Sequence, residues 1–267
     1  MATLSVKHVQ TLQGFVSEIE SLVADPKEPY WFRGVGDASY PLLPSLYRHP
    51  DLHLPDELRK LEQDLLNRFI ERSVPYQTFR PSSTWESMFL MQHYGIPTRL
   101  LDWTENPMVA LFFALTAAYR DSKTKNVTAS PAVWALSPRL WNERAFAHVT
   151  YKGGPLSVSD QLLKPYTPSG DDEPPALAAA IFGIHNSPRI VAQRGVFTIF
   201  GSKVEAMQLT FASETFSDRA IIKYVVPKAA VDSILQKLYA TGFTEAVMFP
   251  GLDGLAKETK RLFGFKE

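Results

Sequence analysis

The sequence predicts a single α+β domain with a helical first half and a second half of alternating strands and single helices. Three observations support this fold class. Apolar residues recur at helical spacing in the first half, and short runs of aromatic and aliphatic residues dominate the second half. No linker-like change of composition divides the 267 residues. The whole chain, 1–267, is therefore expected to fold as one domain.

Six helices are predicted where apolar residues follow the helical period or where capping residues bound an apolar run. They cover residues 6–24, 54–72, 84–94, 107–120, 231–241 and 252–263. The helix over 107–120 is almost wholly apolar, so it is expected to be buried.

Strands are predicted over short apolar and aromatic runs bounded by turn residues. They cover residues 30–35, 132–137, 195–200, 220–226 and 246–249, with a further apolar run at 178–183. The segment 141–175 is rich in Pro, Gly and Asp and has little periodicity, which is typical of a long surface excursion.

Composition excludes several classes of protein. The chain has no cysteine, which rules out disulfides, thiolate nucleophiles and zinc–thiolate sites. Its 28 basic and 28 acidic residues give no net charge that would attract nucleic acid or an anionic membrane as a whole. With no signal-like start and no membrane-length apolar run, it is expected to be a cytoplasmic protein without a membrane partner.

The segment HYGIPTRLLDWTENP, residues 93–107, is the most concentrated set of polar and special-geometry residues in the chain. Its donors, acceptors and titratable ring come from His93, Arg99, Asp102, Trp103 and Thr104. Connecting loops rarely carry His, Arg, Asp and Trp together, since turn chemistry calls for Gly, Pro, Asn and Ser. The segment is therefore predicted to belong to a site.

Part of this segment has a purely structural explanation. Arg99 and Asp102 are three residues apart and can pair with each other, and Thr104 suits the N-cap of the following helix. His93 and Trp103 have no such role, so they are the better candidates for ligand contact.

Arg33 lies in a strand between Phe32 and Gly34. A guanidinium group in an apolar setting needs a partner, either inside the protein or in a ligand. Its fork of donors matches a phosphate, and Gly34 would let a ligand approach the backbone closely. Arg33 is therefore predicted to anchor an anion, with a structural arginine as the alternative.

Two further candidates lie at predicted strand starts. Gln193 precedes Arg194 and Gly195 before the strand GVFTIF, where a turn and a core strand are the simplest explanation. Glu245 stands before the apolar run AVMF, where its neighbours favour a partly buried carboxylate that could stabilise a cation or act as a base. No P-loop, GxSxG, HExxH or GxGxxG motif is present, and the histidines lack metal-ligand spacing, so no metal is expected.

Four segments in this order resemble the FRG domain, a family named for its Phe-Arg-Gly motif. They are WFRG, MQHYGIPTRLLDWTENPMVALFFA, QRGVFT and GFTEAVMFPGLDGLA, and the motif itself is Phe32-Arg33-Gly34. The resemblance extends over about residues 10–263, and the segment 141–175, which has no counterpart in it, is expected to be a surface insertion.

A weaker resemblance is to the ADP-ribosyltransferase fold, a core of split, mostly antiparallel sheets. In that fold an early arginine holds the NAD phosphates or ribose, a middle strand supports the nicotinamide, and a late glutamate steadies the oxocarbenium-like transition state. The resemblance implies these roles for Arg33, for the strand from Gln193 to Phe197, and for Glu245. The Ser-Thr-Ser triplet of the arginine-modifying branch is missing, and Phe243 stands where that branch has Glu or Gln, so the target need not be arginine.

The resulting expectation is an enzyme that uses NAD as a substrate, either transferring ADP-ribose to a macromolecule or hydrolysing NAD. The pocket would be completed by residues predicted to contact or brace the ligand, namely Gly34, Tyr40, His93, Arg99, Trp103, Gln193 and Phe197. A nucleic acid or protein acceptor, an antitoxin or regulatory partner, and a toxin or anti-phage role complete this hypothesis.

Two alternatives remain open at the level of sequence. One is a non-catalytic nucleic-acid-binding module that uses Arg33, Arg99, Arg189 and Arg194 with aromatic side chains. The other is a phosphodiester hydrolase based on His93 and Asp102, which lacks the second histidine or metal cluster that this chemistry commonly uses.

Overall fold

A seven-stranded sheet forms the centre of the structure, a computed structural model that describes residues 3–77, 80–151, 153–168, 173–184 and 187–265. The strands are β1 (Ser5–His8), β2 (Trp31–Val35), β3 (Leu100–Thr104), β4 (Ala132–Leu136), β5 (Ala179–Ile181), β6 (Gly195–Ile199) and β7 (Ile221–Val225). Their order across the sheet is β1-β7-β4-β2-β3-β6-β5. Neighbouring strands are antiparallel except β1 and β7, which are parallel.

The sheet has a weak point between β2 and β3. Among the described residues these strands share one registered pair, Phe32 with Thr104, whereas β2–β4 and β3–β6 each have five. The sheet therefore divides into a four-stranded half, β1-β7-β4-β2, and a three-stranded half, β3-β6-β5. Because the two halves meet at a single pair, β2 and β3 diverge beyond it.

Helices cover both faces of the sheet. They are α1 (Leu12–Leu22), α2 (Pro55–Ser73), α3 (Thr84–His93), α4 (Pro107–Thr116), α5 (Pro138–Ala145), α6 (Pro188–Gln193), α7 (Met207–Ser213), α8 (Val231–Ala240), α9 (Glu245–Met248) and α10 (Leu252–Leu262). Side chains alternate along the strands, so Phe32 packs with α1, α4 and α8 while Trp31 packs with the layer that contains α2, α5 and α7. Helix α3 covers the three-stranded half through Phe89, whose ring lies 4.8 Å from that of Phe197.

Helix α4 is the buried helix that the apolar run 107–120 predicts. Asn106 caps its first turn by accepting hydrogen bonds from the backbone N–H groups of Met108 and Val109, and Pro107 occupies the first position. The helix packs directly on β2, since a Cβ atom added to Gly34 would lie 2.0 Å from the carbonyl oxygen of Ala110. Gly34 is therefore required for this helix–strand contact.

Two element predictions are wrong. The helix predicted over 6–24 begins only at Leu12, because residues Ser5–His8 form β1 at the edge of the sheet. The strand predicted over 246–249 is part of the short helix α9, in which Phe249 N–H donates to the carbonyl of Glu245 at 2.8 Å. A four-residue apolar run has no periodicity that separates a strand from a helix.

The expectation that 141–175 lies on the surface is also wrong. Trp141, Phe146, Leu163 and Tyr166 are each at most 1% exposed. Trp141 stacks on Phe216 with a centroid distance of 4.5 Å and donates its indole N–H to the carbonyl of Ala178 at 2.8 Å. The described residues of this segment (141–151, 153–168 and 173–175) therefore contribute to the core beside the three-stranded half, which their Pro- and Gly-rich composition does not indicate.

The α+β fold class is confirmed, with antiparallel pairing throughout except at β1. Within the described residues, no helix combines the length and the apolar character that crossing a lipid bilayer requires.

Candidate functional site

A cavity of ≈ 310 Å³ lies where the two halves of the sheet meet. Residues of β2, β3, β6, α3, α4 and α6 line it. Its polar side chains are those of Arg33, Gln92, His93, Asp102, Thr104, Arg189 and Gln193. Its aromatic walls are Phe32, Phe89, Trp103, Phe113 and Phe197. The volume lies within the range of small-molecule pockets, roughly 300–1,000 Å³.

Arg33 extends from β2 toward β3 across the divergence of the strands. One Nη atom donates to the carbonyl oxygen of Asp102 at 2.6 Å and lies 3.7 Å from a carboxylate oxygen of the same residue. The Arg33 side chain is 24% exposed, and burial lowers its pKa while Asp102 opposes that shift. Arginine keeps its charge in proteins, so a partly desolvated cation with unused donors faces the cavity.

Asp102 is held by a short chain of hydrogen bonds. Gln92 donates its amide N–H to the Asp102 carboxylate at 2.7 Å, and Thr98 donates its hydroxyl to the amide oxygen of Gln92 at 2.7 Å. The Asp102 side chain is 53% exposed, which leaves carboxylate oxygen available to a ligand. Gln92 fixes the orientation of this carboxylate, a role that nothing in the sequence near His93 indicates.

His93 ends helix α3 at the mouth of the cavity. Desolvation and the positive charge of Arg189 lower its pKa, and Asp102 acts in the opposite direction. Since an unperturbed imidazole titrates near pH 6.5, His93 is neutral at pH 7 and can accept a proton. His93 thus lines the same cavity as Arg33 and Asp102.

Arg189 supplies a second cation from α6. Its guanidinium group lies 4.9 Å from the centroid of the Phe249 ring, and it forms no ion pair with any residue that the structure describes. In the sequence analysis Arg189 is named only for the nucleic-acid-binding alternative. Its distance from Arg33 along the chain gives no sign that the two side chains share a site. The fold brings both arginines to one cavity.

Trp103 and Gln193, two of the predicted site residues, line the cavity and are held in place by hydrogen bonds to the rest of the protein. Trp103 is 3% exposed and donates its indole N–H to the Thr198 hydroxyl at 3.1 Å. Gln193 donates its amide N–H to the carbonyl of Met248 at 2.9 Å, and its own carbonyl accepts a hydrogen bond from Thr104. Thr104 therefore ties β3 to the end of α6 and is not the N-cap of α4.

Glu245 does not line the cavity, so the structure does not bring together Arg33 and Glu245, the two residues to which the weaker resemblance assigns roles at the NAD site. Glu245 begins α9, forms an ion pair with Arg261 at 3.0 Å and accepts a hydrogen bond from the Tyr239 hydroxyl at 2.9 Å. Its side chain is only 13% exposed. These contacts bind α9 to α8 and α10, which is a structural role.

Arg99 and Tyr40 also lie outside the cavity. Arg99 is fully buried in an ion pair with Glu62 at 2.6 Å rather than paired with Asp102, so it braces the protein and cannot meet a phosphate. Tyr40 is 40% exposed and hydrogen bonds to Tyr119 on another part of the surface.

The fold is α+β, and its cavity lies at the junction of the two sheet halves. Residues 28–123 match the family model of the FRG domain, which confirms the FRG domain over this part of the chain. The matched residues include Arg33, His93 and Asp102, whereas Arg189 and Gln193 lie beyond them. No curated protein and no solved structure matches the chain.

Proposed function

We propose that the cavity binds NAD and cleaves the bond between nicotinamide and ribose, with transfer of ADP-ribose to a macromolecule or to water. The observation that carries the proposal is the convergence of two arginines, a neutral histidine and a carboxylate on one aromatic-walled cavity. Guanidinium groups bind phosphates, and aromatic walls accommodate the planar rings of a dinucleotide. A second cavity of ≈ 390 Å³ shares His93 and Arg189 with the first, which extends the space for a two-part ligand.

The division of the sheet also supports an ADP-ribosyltransferase-like core. A split, mostly antiparallel sheet is what the weaker resemblance implies, and in this structure the cavity lies at the division between β2 and β3, which share a single registered pair among the described residues.

The reaction needs few groups. The C1′–N1 bond breaks, nicotinamide leaves with the bonding electron pair, and positive charge develops on the ribose. An acceptor oxygen or nitrogen then bonds to C1′ and gives up its proton. A clamped dinucleotide and a carboxylate beside the developing cation supply the stabilisation, without a metal or a cysteine.

We assign these roles to residues that the cavity contains. Arg33 and Arg189 hold the phosphates, and Asp102 faces the ribose cation in the role first expected of Glu245. His93 takes the proton from the acceptor, because its lowered pKa keeps it unprotonated at pH 7.

Release of labelled nicotinamide from NAD tests the proposal. Asp102→Asn is expected to lower the rate by about 10²–10³-fold, the range for removing one group that stabilises transition-state charge. Glu245→Gln serves as the matched control and should stay within a few-fold of the parent. Background release with water, single-stranded nucleic acids and proteins as acceptors would sink the proposal, as would loss of activity in Glu245→Gln alone.

We further propose that this activity serves a toxin or anti-phage effector restrained by an antitoxin or regulatory partner, because unchecked NAD cleavage or macromolecule modification harms the host cell. Induced expression should then arrest growth, and Asp102→Asn should relieve the arrest. Equal toxicity of both proteins would contradict this role.

A further inference from the structure

A larger groove, of ≈ 1020 Å³, adjoins the cavity. It runs between the C-terminal part of α2, the turn 94–97 that follows α3, and the start of α6. Its floor is apolar, formed by residues such as Leu65, Phe69 and Ile96.

The groove carries two cations from one face of α2. Arg68 and Arg72 are four residues apart, so their side chains lie one helical turn from each other. Both residues are exposed, and neither side chain makes an ion pair or hydrogen bond within the part of the chain that the structure describes. Among the described lining residues there is no Asp or Glu, so the groove is locally basic although the whole chain has no net charge.

Two tyrosine rings stand open to solvent beside these arginines. Tyr76 is 87% exposed and Tyr94 is 69% exposed, and both line the groove. Exposed planar rings next to guanidinium groups offer stacking surfaces between phosphate-binding cations, the combination by which proteins bind single-stranded nucleic acids.

We propose that this groove binds single-stranded nucleic acid and leads it to the cavity. His93 lines both spaces, so a strand in the groove ends beside the imidazole that faces the NAD site. The role of the strand as ADP-ribose acceptor rests on the proposed function, whereas its binding does not. An acidic peptide would meet the arginines but would leave the two tyrosines without stacking partners.

Fluorescence anisotropy with labelled single-stranded DNA and RNA of about 16 nucleotides, measured without NAD, tests the binding. Affinity should fall steeply with salt. Replacing Arg68 and Arg72 together by Ala should weaken it and reduce the slope of log K against log salt by about 1.4, twice the value of about 0.7 per phosphate contact. The double control Lys123→Ala, Lys237→Ala removes the same charge from exposed sites elsewhere and should leave binding unchanged.

Substitutions of Tyr76 and Tyr94 distinguish base stacking from electrostatic attraction to the phosphates. Replacing Tyr76 and Tyr94 by Phe keeps both rings and should preserve affinity, whereas Ala at both positions should weaken it by roughly 5- to 100-fold for each ring. All four positions are exposed, so these variants should fold, and circular dichroism checks this.

The outcomes divide cleanly. Binding supports the groove proposal if it depends on salt and is weakened when either the two arginines or the two tyrosines are replaced by Ala. This holds even if no nicotinamide is released, and in that case only the NAD proposal fails. Three results would overturn the groove proposal. The parent protein does not bind the strand, the lysine control loses as much affinity as the arginine variant, or acidic peptide displaces the labelled strand while unlabelled strand does not. Nicotinamide release in that case would leave the enzyme proposal standing.

Discussion

Two arginine–carboxylate pairs at opposite ends of one short segment have opposite environments. Arg99 and Glu62 are 3% and 0% exposed and lie 2.6 Å apart, whereas Arg33 and Asp102 are 24% and 53% exposed with their charged groups 3.7 Å apart. Arg99 and Asp102 are only three positions apart in the sequence, on either side of the start of β3.

The hydrogen bonds of the two arginines explain the contrast. Arg99 donates to Glu62 and to the carbonyls of Phe200 and Tyr166, and Glu62 also accepts from the backbone N–H of Arg99. Arg33 has a single hydrogen bond among the described residues, to a backbone carbonyl. Each guanidinium nitrogen of the buried Arg99 donates a hydrogen bond within the protein, so Arg99 stabilises the fold. Arg33 has further N–H groups that face the cavity, so it is available to a ligand.

The largest effect is expected from breaking the buried pair. Arg99→Ala leaves the Glu62 carboxylate buried without a cation, and breaking such a pair costs about 3–5 kcal/mol. Urea unfolding should show this loss in the free energy of unfolding. Arg33→Ala is the matched control and should cost about 1 kcal/mol or less, the range for a partly exposed pair. Similar losses in both variants would refute the contrast.

For ligand affinity, Arg33 should matter more than Arg99, the reverse of their order for stability. Arg33→Ala is expected to weaken binding of ADP-ribose by about 10- to 100-fold, since a hydrogen bond to a charged group contributes about 1.5–3 kcal/mol. Titration calorimetry measures this, with Arg33→Lys retaining part of the affinity because charge survives while the fork is lost. Unchanged affinity in Arg33→Ala would show that Arg33 is a structural residue like Arg99.

Substitution of Gly34 tests whether the backbone next to Arg33 is constrained by packing, although the Arg33 side chain is not. Gly34→Ala places a Cβ atom 2.0 Å from the Ala110 carbonyl oxygen, so α4 must move away from β2, at a cost of about 1–3 kcal/mol. Gly14→Ala in α1 meets only the Thr11 hydroxyl at 3.2 Å and should be neutral or stabilising. Thermal unfolding of both variants compares them, and an unaffected Gly34→Ala would mean that α4 yields without cost.

The fold was predictable where a local pattern determines it. The apolar run of α4, with Asn and Pro at its start, and the strand around Phe32 are both visible in sequence and confirmed. The segment 141–175 and the strand predicted over 246–249 were not, because their structure depends on tertiary packing. Trp141, for example, stacks on Phe216, which lies far along the chain.

The site was predictable only in part, for the same reason. Arg33 and His93 lie in motifs with an unusual local composition, and both line the cavity. The partner of Arg99 is Glu62, 37 residues earlier in the chain, so neighbouring residues wrongly suggested Asp102. Arg189 reaches the cavity through the fold, and no local pattern marks it.

The smallest expected effect is electrostatic and concerns His93. Arg189 lowers the His93 pKa and Asp102 raises it, so Arg189→Ala should move the imidazole pKa upward and Asp102→Asn should move it downward. Titration of the imidazole resonances by NMR measures both shifts. Because folding lowers this pKa, the stability that neutral His93 contributes is complete above about pH 6.5 and declines as the pH falls below that value. His93→Gln should remove this part of the acid sensitivity. If Arg189→Ala and Asp102→Asn shift the His93 pKa in the same direction, Arg189 and Asp102 do not face His93 from the two sides of one cavity.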